Sequence, residues 1–167
     1  VGLSGGRKGT RLAVIEAADA NGLPAIVDQP LRPLDADTAG VGTLVRAALD
    51  TGATEILLCL GGSATSDGGA GMLRALGARL LDASGSDVAP GARGLSELHE
   101  IDLSGLDARA GKVVWRVACD VDHPLTGGGG AVGVFGPQKG ATPEQVAVID
   151  RGLSTLARLL AEAAACE

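Results

Sequence analysis

The polar side chains that could do chemistry in this 167-residue sequence gather in two glycine-rich stretches, and the first holds Ser63, Thr65 and Asp67 between pairs of glycines. Glycines allow backbone N–H groups to converge on an oxyanion, and the N-terminus of a following helix adds its positive end. The two hydroxyls can hydrogen-bond a hydroxyl or a phosphate, and the carboxylate can hold a metal ion or a substrate hydroxyl. We therefore predict a site for oxygen-rich ligands here.

Asp67 also has a simpler interpretation, as the cap of the helix that the next residues predict. Asp and Ser side chains accept hydrogen bonds from the first N–H groups of a helix, so Asp67 or Ser66 could cap a helix over 68–76. A cap alone needs none of the five glycines that surround it. That excess favours a functional loop, and both interpretations stay open.

The second stretch begins at Asp120, directly after the apolar run 112–119, and ends in four glycines at 127–130. An acidic residue at the end of a buried strand can bind Mg²⁺ or accept the proton of an attacking hydroxyl. Asp122 and His123 follow closely, but His123 precedes a proline and is more typical of a turn than of a catalytic base. A turn that binds nothing is the alternative for the whole stretch.

A rigid turn over 136–140 supplies Lys139 as a candidate phosphate contact, with an ordinary solvated lysine as the alternative. No G-x-x-x-x-G-K-[ST] sequence is present, which excludes a P-loop. Gly128, Gly130 and Gly133 satisfy G-x-G-x-x-G, but they lie beyond a proline and well past the end of the predicted strand. A dinucleotide-binding module that uses these glycines is therefore only a third functional interpretation.

The elements that would position these residues follow an α/β pattern. Three apolar runs of strand length predict strands at 12–17, 55–60 and 112–119. We expect the strands at 55–60 and 112–119 to be buried. The continuous run at 55–60 is typical of a strand covered on both faces. Apolar residues at helical spacing predict a helix over 41–49, and Thr142 with Gln145 forms a capping box for a last helix to about residue 164.

Strands that alternate with helices predict an α/β fold with a mixed or largely parallel sheet and flanking helices. Ligands of such sheets bind at the carboxyl ends of the strands. We therefore expect the loops near Thr65 and Asp120 to share one pocket.

Composition limits the possible partners. The chain carries 14 basic and 20 acidic residues, a net charge of −6, and aromatic residues make up 1%. Nucleic acid is thus an unexpected partner, because it needs clustered basic residues or aromatic platforms. No apolar run approaches the roughly 20 residues that span a bilayer, and three scattered cysteines indicate a reducing, cytoplasmic setting. The first residue is Val, so either a non-standard start codon was read or the chain is part of something longer.

The sequence GGSATSDGGAGMLRALGARLLDASG at 61–85 resembles the signature of the bacterial type I glycerate kinase family. Further segments resemble that family in the same order, at 13–23, 37–50, 100–107, 119–127 and 134–144. The departures are small: Ser66 and His123 stand where the family commonly has Asn, Ala17 where it has Met, and Asn21 where it has Ser.

The resemblance implies ATP-dependent phosphorylation of D-glycerate to a phosphoglycerate, with Mg²⁺. Members of this family have two α/β domains around a cleft, and residues 1–167 resemble a single central segment, mostly the inserted domain, without the family's N- and C-terminal parts. A partner domain or a second copy of the chain is therefore expected. The competing interpretation is a domain without catalytic activity, which binds ligand weakly or only packs against a missing partner.

The resemblance also suggests roles for individual residues. Ser63, Thr65, Asp67 and the amides of Gly68 and Gly69 would form one site for an anion or a hydroxyl. Asp120, which we expect to be catalytic together with Asp67, would be the metal ligand or the general base. The remaining two candidates, Gln138 and Lys139, would contact phosphate or glycerate.

Overall fold

The computed structural model describes residues 2–5, 9–26 and 28–164 of the chain. Its strands are β1 (Gly2–Gly5), β2 (Arg11–Glu16), β3 (Glu55–Cys59), β4 (Arg79–Leu81), β5 (Glu100–Asp102) and β6 (Val114–Ala118). Its α-helices are α1 (Ala18–Asn21), α2 (Ala39–Asp50), α3 (Ala70–Ala75), α4 (Gly91–Gly94), α5 (Ala131–Phe135) and α6 (Pro143–Ala164). Two 3-10 helices cover Leu23–Ile26 and Pro137–Lys139.

The main sheet has the strand order β1-β2-β3-β6. β2, β3 and β6 run parallel, with Leu57 paired to Val14 on one side and to Arg116 on the other, while β1 is antiparallel to β2. Because parallel strands end at the same edge of a sheet, the loops after β3 and β6 emerge side by side. The predicted α/β fold with a largely parallel sheet and flanking helices is confirmed. β1 escapes prediction because its GLSG sequence has no apolar alternation.

Helix α2 covers one face of this sheet. Ala13, Ile15 and Ile56 point from the strands into a cluster with Val45 and Ala48 of α2, and all five are fully buried. Removing side chains of this size from water stabilises the fold by about 1.5–3 kcal/mol for each large one. This packing holds β2 and β3 against α2, and with them the start of the loop after β3.

Two predictions about burial are wrong for the described residues: that the run at 55–60 is covered on both faces, and that the run at 112–119 is buried. Residues of β3 alternate between buried and half-buried, and in β6 Val114 and Val117 are 56% and 57% exposed. β6 is the terminal strand of the sheet, so it has a neighbour on one side only. Its Trp115 is half-buried against the α2 cluster and donates its indole N–H to the Ala110 carbonyl oxygen at 2.8 Å. Apolar composition alone does not say which elements cover a strand.

Helices α2 and α3 pack with their backbones in contact. A Cβ atom placed on Gly42 would lie 2.5 Å from the Ala75 Cβ and 2.8 Å from the Met72 carbonyl oxygen. Only glycine permits this approach without a shift of one helix. The approach also brings together the N-terminal ends of the two helices, where Thr38 and Asp67 lie.

A second core forms around α6, where Leu80, Leu95, Ile149 and Leu156 are at most 1% exposed. Helix α6 begins as predicted. The Thr142 amide donates to the Gln145 side-chain oxygen at 2.9 Å, and the Gln145 amide donates to the Thr142 hydroxyl at 3.3 Å. None of the helices in the described residues is long and apolar enough to cross a membrane.

Candidate functional site

The loops after β3 and β6 meet at the carboxyl edge of the sheet and line two adjoining cavities. The larger cavity has a volume of about 450 Å³, and the smaller has a volume of about 260 Å³. Leu60, Ser63 and Lys139 line both. The eight residues predicted from the sequence are divided between them: Thr65, Asp67, Gly68 and Gly69 in the larger, Asp120 and Gln138 in the smaller, and Ser63 and Lys139 in both.

Lys139 connects the first loop to the segment that precedes α6. It ends the 3-10 helix Pro137–Lys139, and its ammonium group donates to the Ser63 Oγ at 3.3 Å and to the Thr65 carbonyl oxygen at 2.5 Å. Burial lowers the pKa of Lys139, and the negative charge of Asp67 opposes that shift. The sequence alternative of a merely solvated lysine is therefore wrong, because this side chain is half-buried and hydrogen-bonded.

Asp67 is 1% exposed, and its carboxylate accepts four hydrogen bonds. One oxygen, Oδ2, accepts from the Thr38 amide, the Thr38 hydroxyl and the Gly71 amide, each at 2.9 Å. The other, Oδ1, accepts from the Gly69 amide at 3.2 Å. Asp67 thus ties the start of α3 to the start of α2. The capping interpretation accounts for its contacts, although its carboxylate also lines the larger cavity.

The two glycines after Asp67 play different parts. The Gly69 amide already donates to Asp67, so a ligand anion would compete with that bond. Gly68 has a φ of +61°, and a Cβ atom there would lie 2.8 and 2.9 Å from the side chains of Leu153 and Leu156. Glycine at 68 is therefore required both by its backbone conformation and by the packing of α6.

The second loop is open by comparison. Asp120 and Asp122 are exposed, and Asp120 has no hydrogen bond or ion pair to any of the described residues. His123 packs its ring edge-on against Phe135, with the ring centroids 5.2 Å apart, which fits the predicted turn residue. Within the described ranges, no group of three or more His, Cys, Asp or Glu side chains could hold a metal ion.

Two residues of the site were missed in the sequence. The Asn21 side chain donates to the Thr65 Oγ1 at 3.2 Å, and its backbone oxygen accepts from the Ala64 amide at 2.7 Å. Thr38 donates to Asp67 and accepts from the Met72 amide at 2.9 Å. Asn21 lies in an Asn-Gly pair that indicates a turn, and Thr38 lies where helical spacing begins. Because each pattern explains its residue locally, neither predicted the long-range contacts.

The larger cavity has a polar side and an apolar side. Its polar side is formed by Asn21, Thr38, Ser63, Thr65, Asp67 and Lys139, and its apolar side by Val41, Leu58, Leu60, Met72, Val117 and Leu125. Leu60, Val117 and Leu125 are 41%, 57% and 44% exposed, so solvent reaches the apolar side and partly screens the attraction between a bound anion and the ammonium group. The arrangement can bind a small anion and hold it against the end of the sheet.

Comparison with known proteins identifies relatives of this chain. It is 53% identical over 153 residues to a glycerate kinase of Bacillus subtilis (strain 168), covering 92% of this chain and 40% of that protein. It is 46% identical over 162 residues to a glycerate 2-kinase of Escherichia coli (strain K12), covering 97% and 42%. The chain therefore spans about two fifths of the length of these curated relatives.

The fold has a solved counterpart. A crystal structure assigned as glycerate kinase 2 from Salmonella typhimurium LT2 superimposes with a TM-score of 0.87 at 52% sequence identity, covering 90% of this chain and 40% of that one. The sequence profile described as the glycerate kinase family matches residues 2–167. On this match, the chain belongs to the glycerate kinase family.

Proposed function

We propose that this chain forms part of an enzyme that transfers the terminal phosphate of ATP to D-glycerate. The observation that carries the proposal is that Ser63 and Lys139 line two adjoining cavities, with Thr65 in the larger and Asp120 in the smaller. Phosphoryl transfer depends mainly on positioning and on neutralising negative charge, and it needs no covalent nucleophile. A half-buried lysine, two hydroxyls and a nearby exposed carboxylate supply those requirements.

The proposed roles follow from exposure and contacts. Lys139 neutralises an oxyanion, Ser63 and Thr65 orient it, and Gln138 supplies an exposed amide at the rim of the smaller cavity. Asp120 accepts the proton of the attacking hydroxyl or orients it. Asp67 acts through position, because it holds the loop that presents Thr65.

Mg²⁺ is the cation that such a reaction requires. It is commonly held by one or two carboxylates together with the phosphates of the substrate and water. Asp120 fits this pattern, because its carboxylate is exposed at the cavity and pairs with no cation of the described residues. Asp120 would hold Mg²⁺, which supplies neutralisation of phosphate charge.

Replacing Asp120 by Asn tests the proposal in a coupled assay with ATP and D-glycerate. We expect turnover to fall about a hundredfold or more, because the amide neither accepts a proton nor holds the cation well. Asp122→Asn is the matched control, since Asp122 is also exposed but does not line either cavity. Equal turnover in the Asp120 and Asp122 variants, measured in an assembly that is active before substitution, would contradict the role of Asp120.

A second candidate is a domain that is inactive alone and packs against a further domain or a second copy of itself. It is favoured by the apolar side chains that are exposed along β6 and its neighbourhood: Leu60, Val114, Val117, Val121, Leu125 and Val134. If the purified chain gives no turnover but becomes active when co-expressed with the remaining part of a relative such as the Bacillus subtilis enzyme, this candidate is correct. Turnover by the chain alone would reject it.

The cytoplasm is the compartment we propose for this reaction. Both cysteines in the described residues, Cys59 and Cys119, are free thiols. Free thiols persist where glutathione keeps the environment reducing. Thiol labelling of the protein in intact cells would test this, and a disulfide at either position would contradict it.

A further inference from the structure

The hydrogen-bond directions around Ser63 and Thr65 determine what kind of oxygen can bind between them. An ammonium group has donors only, so the Ser63 Oγ must accept the bond from Lys139. The side-chain nitrogen of Asn21 is likewise only a donor, so the Thr65 Oγ1 must accept the bond from Asn21. In the part of the chain that the structure describes, no group accepts the proton of either hydroxyl.

Lys139 adds a third donor. Its ammonium group has three N–H bonds, and two of them are used by the Ser63 Oγ and the Thr65 carbonyl oxygen. Three protons therefore remain to be donated at the place where Ser63, Thr65 and Lys139 line the larger cavity. A ligand atom that accepts all of them must be rich in lone pairs, and the positive charge of Lys139 favours one that is negative.

Asn21 is the residue that maintains this direction. Among the described residues its buried Oδ1 has no hydrogen-bond partner, whereas its side-chain nitrogen is bonded to Thr65. The amide in this orientation presents a donor, and not an acceptor, to the Thr65 Oγ1. Asp at the same position would have the same shape but only acceptors, and the Thr65 proton would then turn toward it.

We propose that Ser63, Thr65 and Lys139 form a site for an anionic oxygen, carboxylate or phosphate, and that Asn21 is the positioning residue that directs the Thr65 proton toward the ligand. The identity of the anion as the carboxylate of glycerate or a phosphate of ATP rests on the proposed function. The site's preference for an acceptor over a neutral hydroxyl does not. It rests on the directions of the hydrogen bonds and on the positive charge of Lys139.

The test is a titration of the chain followed through the side-chain amide signal of Asn21 in ¹H–¹⁵N NMR spectra. The ligands are D-glycerate, inorganic phosphate and ATP, with glycerol as the neutral analogue of glycerate. We expect at least one anion to shift the Asn21 signal, and glycerol to bind at least about tenfold more weakly than that anion. A response to glycerate identifies a carboxylate site, and a response to phosphate or ATP identifies a phosphate site. Equal binding of glycerol, or no binding of any anion, overturns the proposal.

Variants separate a positioning role from a structural one. Thr65→Val should reduce the preference for the anion over glycerol about tenfold, because Ser63 and Lys139 still donate, while Thr65→Ser restores the hydroxyl and the preference. Asn21→Asp should reduce it about tenfold or more, and Asn21→Ala, which removes the donor without adding a negative charge, should reduce it by a smaller factor. If Asn21→Asp unfolds the chain, the comparison of Thr65→Val with Thr65→Ser still tests whether the Thr65 hydroxyl sets the preference for the anion. A preference that is unchanged in Asn21→Asp and in Thr65→Val refutes the proposal.

The proposed function can fail separately. Anion binding that follows these variants, without phosphorylation of D-glycerate in any assembly, would leave the anion site intact and remove only the proposed reaction. Phosphorylation of D-glycerate with no change of selectivity in the Thr65 variants would remove only the anion site.

Discussion

The loop after β3 and the loop after β6 leave the same edge of the sheet, yet they differ in how the chain holds them. The first is fixed by Asp67, by Lys139 and by Asn21, each through hydrogen bonds to residues distant in the sequence. The second exposes Asp120 and Asp122 to solvent. The second loop has one such bond, from the Gly127 amide to the Asp150 carboxylate, but it leaves the carboxylates of Asp120 and Asp122 without a partner among the described residues. The difference shows that the chain fixes the polar groups of the first loop and leaves the acidic groups of the second open to a ligand.

Removing the Asp67 carboxylate should produce the largest effect. Asp67→Ala leaves the amides of Gly69 and Gly71 and both donors of Thr38 without their acceptor, in a place that is 1% exposed. We expect a loss of about 3 kcal/mol in the free energy of unfolding, measured with denaturant. Asp122→Ala in the second loop should change it by less than about 0.5 kcal/mol. Equal losses at the two positions would contradict the contrast between the loops.

Glycine replacements should produce an intermediate effect. Gly68→Ala forces a Cβ atom to within 3 Å of Leu153 and Leu156 at a φ of +61°, and we expect a loss of about 2 kcal/mol. Gly128→Ala meets no atom within 4 Å, so it should be neutral or stabilise the fold by about 0.5 kcal/mol. Thermal unfolding measures both. A destabilising Gly128→Ala would show that the second loop is also held tightly.

The smallest effect concerns Lys139, which contacts the first loop. Burial lowers its pKa in the folded state, so the folded protein releases this proton at lower pH than the unfolded chain does. Between the two pKa values the unfolded chain binds more protons, and the free energy of unfolding rises with pH. The free energy of unfolding of the wild type should therefore rise relative to that of Lys139→Met as the pH rises toward the ordinary pKa of lysine.

Lys112→Met serves as the control for loss of an exposed charge. Unfolding curves of all three proteins across alkaline pH supply the comparison. If wild type loses stability relative to Lys139→Met over that range, the sign is wrong and Lys139 is stabilised in its charged form.

The parts of the fold that sequence predicted are those encoded by neighbouring residues. The capping box of Thr142 and Gln145 is a local pattern, and it formed as expected. The strands over 12–17 and 55–60 were found within a residue or so at each end. The alternation of strands and helices indicated a parallel sheet. Because parallel strands end at the same edge, this also predicted that the two loops lie at one edge of the sheet.

What sequence could not supply is long-range. Asn21 and Thr38 contact the first loop across 44 and 29 positions, and no local pattern announces such contacts. The exposure of Val117 was missed for a different reason: an apolar run shows a preference for burial and not the element that provides it. The roles of the eight candidate residues stay predictions, because contacts alone do not distinguish binding from structure.

The position of Trp115 has a practical consequence. It is the chain's single tryptophan, and it lies on the sheet's terminal strand, beside side chains that solvent reaches. Indole emission depends on the polarity of its surroundings. We therefore expect a domain or second copy that covers this strand to shift the emission wavelength of Trp115. Assembly can therefore be followed optically, without a label, in the same cuvette in which catalysis is assayed.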